Sequence, residues 1–171
     1  MKCLRRVLVA GFGSTHRGDD SFGVVLLERV KREIESRFPG VEVLEAGTNG
    51  LLLVQQLMEG YDALVILDSV EMGGEPGRIY VLRVKSVRGG NPEELTMSSL
   101  SPLHEMNPTS TLAVAASLGV LPRLVYIVGL EPETLDYIAD VGLEGAVKRS
   151  LSEARKALIK LLEALCSGAE P

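Results

Sequence analysis

The sequence predicts an α/β protein, a three-layer sandwich in which a mostly parallel, twisted sheet with one antiparallel strand carries helices on both faces. Short apolar runs, such as residues 63–67, alternate along the chain with longer segments whose apolar residues recur at helical spacing. One connection differs from the others, because residues 73–77 (Gly-Gly-Glu-Pro-Gly) are too few to hold a crossover helix. The strand after it should therefore run antiparallel to the strand before it.

Each element is predicted from its own local pattern. In the first helix Phe22, Leu26, Val30 and Ile34 recur at every fourth position, and a Pro-Gly pair follows at 39–40. The last helix spaces its apolar residues alternately four and three apart, which is typical of a helix packed on a sheet but also of a short coiled coil. The predicted strands are 7–11, 41–46, 63–67, 78–84 and 123–128, and the predicted helices are 21–38, 51–58, 109–118 and 144–165.

The composition limits the classes of function. The 171 residues fit a single domain, 1–171, and the net charge of −5 argues against a nucleic-acid-binding face. No apolar run approaches the roughly 20 residues needed to cross a bilayer. The short basic start is followed at once by glycines and charges rather than by the core of a signal peptide. We therefore expect a cytoplasmic protein with neither a nucleic acid nor a membrane as partner.

The two cysteines give no sign of a thiolate metal site or of a nucleophile. Cys3 and Cys166 lie near opposite ends of the chain, without CxxC or Cys/His zinc spacing. Cys3 precedes the first strand, and Cys166 is assigned to a polar tail. A Gly-x-Ser-x-Gly nucleophile elbow is also missing from the sequence. A hydrolase built on this chain would therefore use metal-assisted chemistry rather than an acyl-enzyme.

The loop after the first strand carries an unusual acidic pair. Its opening, Gly11 and Gly13, resembles a dinucleotide-binding GxGxxG motif, but His16 stands where the third glycine belongs. Asp19 and Asp20 then lie at the start of the helix, where two carboxylates would repel the phosphate that such a motif binds. One Asp is enough to cap the helix. The other is therefore either redundant or functional.

Two more polar residues complete a possible metal site. Asp68 directly follows the apolar strand 63–67 and so lies at its carboxyl edge, where sites in α/β sheets form, although turn hydrogen bonds are the commoner role. His104 lies in a long loop ahead of a helix, where a lone histidine is usually an ordinary surface residue. Two carboxylates and one imidazole nevertheless suit a divalent metal, and three ligands leave coordination positions open.

In the order and spacing of its motifs, the sequence resembles the hydrogenase maturation protease family over nearly its whole length. The motifs that carry the resemblance are Gly11-x-Gly-x-x-x-Arg17-Gly18-Asp19-Asp20-x-x-Gly23, Gly47-Thr48-x-Gly50, Asp68 after the third strand, Pro76-Gly77 before the fourth, His104 after a Ser/Pro loop, and Gly129-Leu130-Glu131-Pro132-Glu133 after the fifth. Members of this family remove a C-terminal peptide from the large-subunit precursor of a nickel–iron hydrogenase after nickel insertion. The resemblance implies the same fold and the same activity here.

The resemblance also implies roles for individual residues. In the family an acid of the opening motif, the Asp after the third strand and the loop His bind the metal, which assigns catalytic and metal-binding roles to Asp20, Asp68 and His104. It implies that the nickel arrives with the substrate, the large-subunit precursor, and that no organic cofactor is used. Some positions differ from the family pattern: Ser14 stands where Asn is usual, Asp20 where some members have Glu, and Leu103 directly before the histidine.

The peptide-binding rim of the cleft is predicted from two further segments. Glycine lets a bound peptide approach the backbone closely, which favours the turn containing Gly47, Thr48 and Gly50. Loops as long as residues 86–108 are usually functional or disordered in compact domains. We expect both segments to flank one cleft.

Two other functions fit the same residues. The first is a non-enzymatic nickel-binding or metal-checking protein on the same scaffold. The second is a nucleotide-binding α/β domain, against which the acidic pair and the missing third glycine argue. Cleavage of a nickel-loaded precursor separates the protease from both.

Overall fold

A computed structural model describes residues 2–14, 18–85, 87, 107–133 and 145–171. Within these residues one sheet has the strand order β2-β1-β3-β5-β4, with β1 (Val7–Phe12), β2 (Val41–Gly47), β3 (Ala63–Ser69), β4 (Ile79–Arg83) and β5 (Leu124–Leu130). The helices are α1 (Phe22–Arg37), α2 (Gly50–Leu57), α3 (Pro108–Ser117) and α4 (Gly145–Cys166), and a 3-10 turn, Gly18–Ser21, precedes α1. The predicted fold class, a mostly parallel sheet with one antiparallel strand, is confirmed.

The antiparallel strand is β4, as its short connection predicted. It pairs with β5 rather than with β3, because β5 enters the sheet between them. The turn from β3 to β4 therefore passes over the carboxyl end of β5. Backbone hydrogen bonds fix it there, from Val70 N–H to Leu130 O at 2.9 Å and from Gly77 N–H to Glu131 O at 2.8 Å.

Alternate residues of the central strands pack against opposite layers of helices. Odd-numbered residues of β1 and β3 contact the layer of α1 and α4, and even-numbered residues contact the layer of α2 and α3. The last helix packs onto the sheet, so its four-three spacing does not indicate a coiled coil; its buried residues include Leu151, Ala154, Leu158, Leu161 and Leu165. Each fully buried leucine contributes about 2 kcal/mol relative to an exposed one. Of the described helices, none is long and apolar enough to cross a membrane.

A disulfide joins the two ends of the described fold at the amino side of the sheet. It links Cys3, before β1, to Cys166, the last residue of α4. The assignment of Cys166 to a polar tail is wrong, because the helix continues to this residue and only 1% of it is exposed. Arg5 supports the same junction, since its guanidinium donates hydrogen bonds to the carbonyl oxygens of Leu165 and Gly168.

The strand order determines where a functional site can form. β1 and β3 are parallel neighbours with Gly11 beside Leu67, so the loop after β1 meets the end of β3 at the carboxyl edge. β1 also pairs with β2 on its other side. The connection after β1 leads to β2 on one side of β1, and the connection after β2 leads to β3 on the other side. Such a switch point opens a crevice at the carboxyl ends of the strands.

Candidate active site at the carboxyl edge of the sheet

Glycines let the turn after β1 press directly against the sheet. A Cβ added at Gly13, where φ is +123°, would collide with the carbonyl oxygen of Asp20. One added at Gly23 would collide with the carbonyl oxygens of Leu67 and Phe12. The turn after β1 and the start of α1 therefore approach the sheet at distances that only glycine permits.

The acidic pair lies in the 3-10 turn before α1, and its two carboxylates have different partners. Asp20 Oδ2 accepts a hydrogen bond from the N–H of Ser14 at 3.1 Å. Asp19 is fully buried, and its Oδ2 accepts the N–H of Glu133 at 2.8 Å. Ser21, the N-cap of α1, makes no side-chain cap hydrogen bond. Neither of these two carboxylate bonds caps α1, and whether one acid of the pair is functional stays a prediction.

Asp68 is the penultimate residue of β3 and is partly buried. Burial raises the pKa of its carboxyl group, the negative charge of Asp20 raises it further, and a backbone hydrogen bond from Ser69 lowers it in part. The pKa of Asp68 is about 7 instead of 3.8. The carboxylates of Asp20 and Asp68 are thus near enough to repel each other, and binding a proton or a cation relieves that repulsion.

The glycine turn after β2 borders the same edge. The N–H of Gly13, in the loop after β1, donates to the carbonyl oxygen of Gly47 at 2.9 Å. Asn49 caps α2 by accepting the N–H of Leu52 at 3.3 Å, which fixes the turn at its far end. Thr48 lies between these two anchors and is exposed. The predicted rim residues of this turn are therefore placed beside the acidic loop, and their contact with substrate stays a prediction.

The other side of the edge is held by Glu131, whose role the sequence did not predict. Only 5% of this residue is exposed, and its carboxylate accepts hydrogen bonds from the N–H groups of Met72 and Gly73 and from the hydroxyl of Tyr80. Burial by itself raises the pKa of Glu131, but these hydrogen bonds outweigh it and leave the pKa below the ordinary value. The Gly129–Glu133 motif pointed to this segment without indicating which donors it would meet.

The third predicted ligand, His104, lies outside the described residues, as do residue 86 and residues 88–106 of the long loop. In the part of the chain that the structure describes, no three His, Cys, Asp or Glu side chains form a group that could hold a metal ion. The three-ligand site and the contribution of the loop to the rim therefore stay predictions.

The fold is shared with a solved endopeptidase, and the sequence is similar to hydrogenase expression/formation proteins. The chain is 27% identical to the hydrogenase maturating endopeptidase HybD from Escherichia coli, covering 93% of each chain with a TM-score of 0.67. It is 31% identical to the hydrogenase expression/formation protein HoxM of Azotobacter vinelandii, over 91% of this chain and 72% of that protein. It is 34% identical to HupM of Azotobacter chroococcum, over 76% of this chain and 59% of that longer protein.

These likenesses define the chain as a peptidase of the three-layer α/β class. The family described as HycI, hydrogenase maturation protease, matches residues 24–161. The chain belongs to this hydrogenase maturation protease family. The family resemblance seen in the sequence is thereby confirmed.

Proposed function

We propose that this protein is a cytoplasmic endopeptidase that removes the C-terminal peptide from the large-subunit precursor of a nickel–iron hydrogenase, and that it recognises the nickel in that precursor. The observation that carries the proposal is the pair of carboxylates, Asp20 and Asp68, at the switch point of the sheet. The family and its relatives support the precursor as substrate. The recognition of nickel is argued from the chemistry of the two acids.

Two carboxylates that repel each other form a site whose free energy falls when a cation binds. At neutral pH Asp68, with a pKa of about 7, is partly protonated, because its charged form is disfavoured by burial and by Asp20. A divalent cation replaces that proton and neutralises both acids at once. His104 is the third ligand proposed for this ion, on the resemblance alone.

The nickel is best treated as part of the substrate. Two carboxylates and a histidine from three separate segments bind a free ion weakly, because ordering those segments costs free energy before any bond forms. A precursor whose own cysteines hold the nickel supplies the missing ligands. Asp20, Asp68 and His104 then take the open positions on that ion, so binding reports that metal insertion is finished.

The chain's own contribution to cleavage is to orient the precursor. Coordination of the substrate's nickel brings the scissile peptide bond to the carboxyl edge, which replaces a bimolecular encounter by a fixed geometry. Nickel in this position supplies Lewis acidity toward the peptide carbonyl or toward a water molecule.

The test compares two forms of one precursor. The protein is stripped with a chelator, desalted, and mixed in parallel with nickel-loaded and nickel-free large-subunit precursor, and release of the C-terminal peptide is followed by mass spectrometry. We expect cleavage of the nickel-loaded form only, with no need for added metal. Equal cleavage of the nickel-free form would contradict nickel recognition while leaving a protease. Binding of the loaded precursor without cleavage would instead favour the non-enzymatic metal-checking protein.

A further inference from the structure

A fully buried aspartate beside the site is not explained by the proposed function. Asp19 is 0% exposed, whereas its neighbour Asp20 is partly exposed. Burying a carboxylate is costly unless hydrogen bonds compensate for the lost water. The bond from the Glu133 N–H to Asp19 Oδ2, at 2.8 Å, provides compensation from a residue 114 positions away in the chain. We therefore ask what the contact between Asp19 and Glu133 does for the site.

The position of this bond relates it directly to the site. Asp19 belongs to the turn after β1, and Glu133 belongs to the segment after β5. In the sheet β3 lies between these two strands. The bond therefore links two loops across the carboxyl end of β3, the strand that carries Asp68.

The turn that contains both acids is short and fixed at several points. Ser21 Oγ donates to the carbonyl oxygen of Gly18 at 2.7 Å, which closes the turn on itself. Asp20 accepts the Ser14 N–H, which ties the turn back to the loop after β1. A displacement of Asp19 must then move Asp20, because they are adjacent in one 3-10 turn of four residues.

We propose that Asp19 is a positioning residue whose buried carboxylate bridges the loops after β1 and β5 and so holds Asp20 in place beside Asp68. Asp19 does not touch the substrate in this role, which is to keep the distance between the two site carboxylates. The inference rests on the proposed function, because it assigns the purpose of the bridge to the acids that meet the precursor's nickel.

The experiment compares Asp19→Ala and Asp19→Asn with a matched control at the other end of β3. Asp62→Ala removes a bond between the same groups at an exposed position, because Asp62 Oδ2 accepts the N–H of Arg6 at 2.7 Å. Turnover of the nickel-loaded precursor is measured as kcat and KM at a temperature where circular dichroism shows each variant to be folded. Exchange of the Glu133 amide hydrogen reports the bond itself.

We expect Asp19→Ala to lower kcat/KM by about 100-fold, the loss typical of a catalytic group displaced by about 1 Å. Asparagine retains an acceptor for the Glu133 N–H, so Asp19→Asn should keep the amide protected and stay within about threefold of the wild type. Asp62→Ala should stay within about twofold. Because turnover is measured only where each variant is folded, a loss of kcat/KM in Asp19→Ala would not be due to unfolding.

Three results would overturn the inference. A folded Asp19→Ala variant with wild-type kcat/KM would show that the bridge is not needed. If that variant does not fold, Asp19→Asn decides, and free exchange of its Glu133 amide together with wild-type turnover would likewise show that the bridge is not needed. Equal losses in folded Asp19→Asn and Asp19→Ala would show that this hydrogen bond is not what matters. If the wild-type chain leaves the loaded precursor uncut, both the proposed function and the inference are contradicted. The three results above contradict the inference alone.

Discussion

At the amino end of the sheet Arg6 lies among acceptors, whereas at the carboxyl end two acids, Asp20 and Asp68, lie near each other. The Arg6 guanidinium forms an ion pair with Glu42 at 3.0 Å and donates to the carbonyl oxygens of Glu59 and Gly60. The carboxyl end instead brings like charges together and raises the pKa of Asp68. The amino end uses its charges in contacts within the fold. The carboxyl end retains an electrostatic cost that a ligand can relieve, which is typical of a functional site.

The largest effect is expected from a comparison of two aspartates at opposite ends of β3. Asp68→Asn should reduce processing of the nickel-loaded precursor below detection, because the amide keeps the shape of the side chain but loses the charge that a divalent ion needs. Asp62→Asn, just before β3, should process the precursor at the wild-type rate. Peptide release measured by mass spectrometry checks both variants, and circular dichroism confirms that they are folded. Wild-type cleavage by Asp68→Asn would mean that Asp68 is only a turn residue.

The second prediction concerns the disulfide at the amino end. A cross-link between residues 163 positions apart restricts the unfolded chain strongly, and the chain-entropy relation gives a stabilisation of about 5 kcal/mol. Cys166→Ser should therefore lower the free energy of urea unfolding by up to about that amount. Cys3→Ser is the matched control, because it removes the same bond and should lose as much. Processing at temperatures below the unfolding transition should be unchanged. A loss of processing in folded Cys166→Ser would contradict the view that the amino end contributes to stability and not to the reaction.

The third prediction follows from the raised pKa of Asp68. The unfolded chain releases this proton near 3.8 and the folded chain near 7, so the folded state holds more protons in between. The free energy of unfolding should therefore fall as pH rises from about 4 to about 7 and level off above that, with roughly 4 kcal/mol as the upper limit. Asp68→Asn lacks this titration. Its stability relative to the wild type, measured by urea unfolding in the presence of a chelator, should increase across the same interval; a constant difference would contradict the shift.

The smallest expected effect lies in the exposed ion pair of the amino end. The side chains of Arg6 and Glu42 are 43% and 42% exposed, so solvent screens their attraction. Glu42→Gln should cost no more than about 1 kcal/mol of stability and leave processing unchanged. Thermal unfolding checks the first part, and turnover of the precursor checks the second. A loss of turnover would show that the amino end also serves the reaction.

The elements of the fold were predictable where local pattern decides them. The periodicity of the first helix predicted residues 21–38, and α1 is Phe22–Arg37. The short connection at residues 73–77 predicted the direction of β4, since its length excludes a crossover. The pairing of β4 with β5 was not predictable in this way, because it depends on a later strand entering the sheet. The disulfide was missed for the same reason, since it joins residues 163 positions apart.

In the site, too, local sequence patterns were informative, whereas contacts between distant residues were not predictable. Asp68 could be placed at the carboxyl edge because it follows an apolar strand directly. The partner of Asp19 could not be predicted, because the donor is a backbone N–H group 114 residues away that carries no side-chain signature. The hydrogen bonds to the Glu131 carboxylate come from the hydroxyl of Tyr80 and from the backbone N–H groups of Met72 and Gly73, which lie far from Glu131 in the sequence.

The outer strands of the sheet bear on how the protein behaves in concentrated solution. Each carries a charged residue held in an ion pair, Glu42 on β2 with Arg6 and Arg83 on β4 with Glu170. Outer strands expose peptide groups that can recruit a strand from another molecule, and charged side chains at these positions oppose that recruitment. β4 is also short, with five residues. We therefore expect association through the outer strands to be suppressed at both edges of the described sheet.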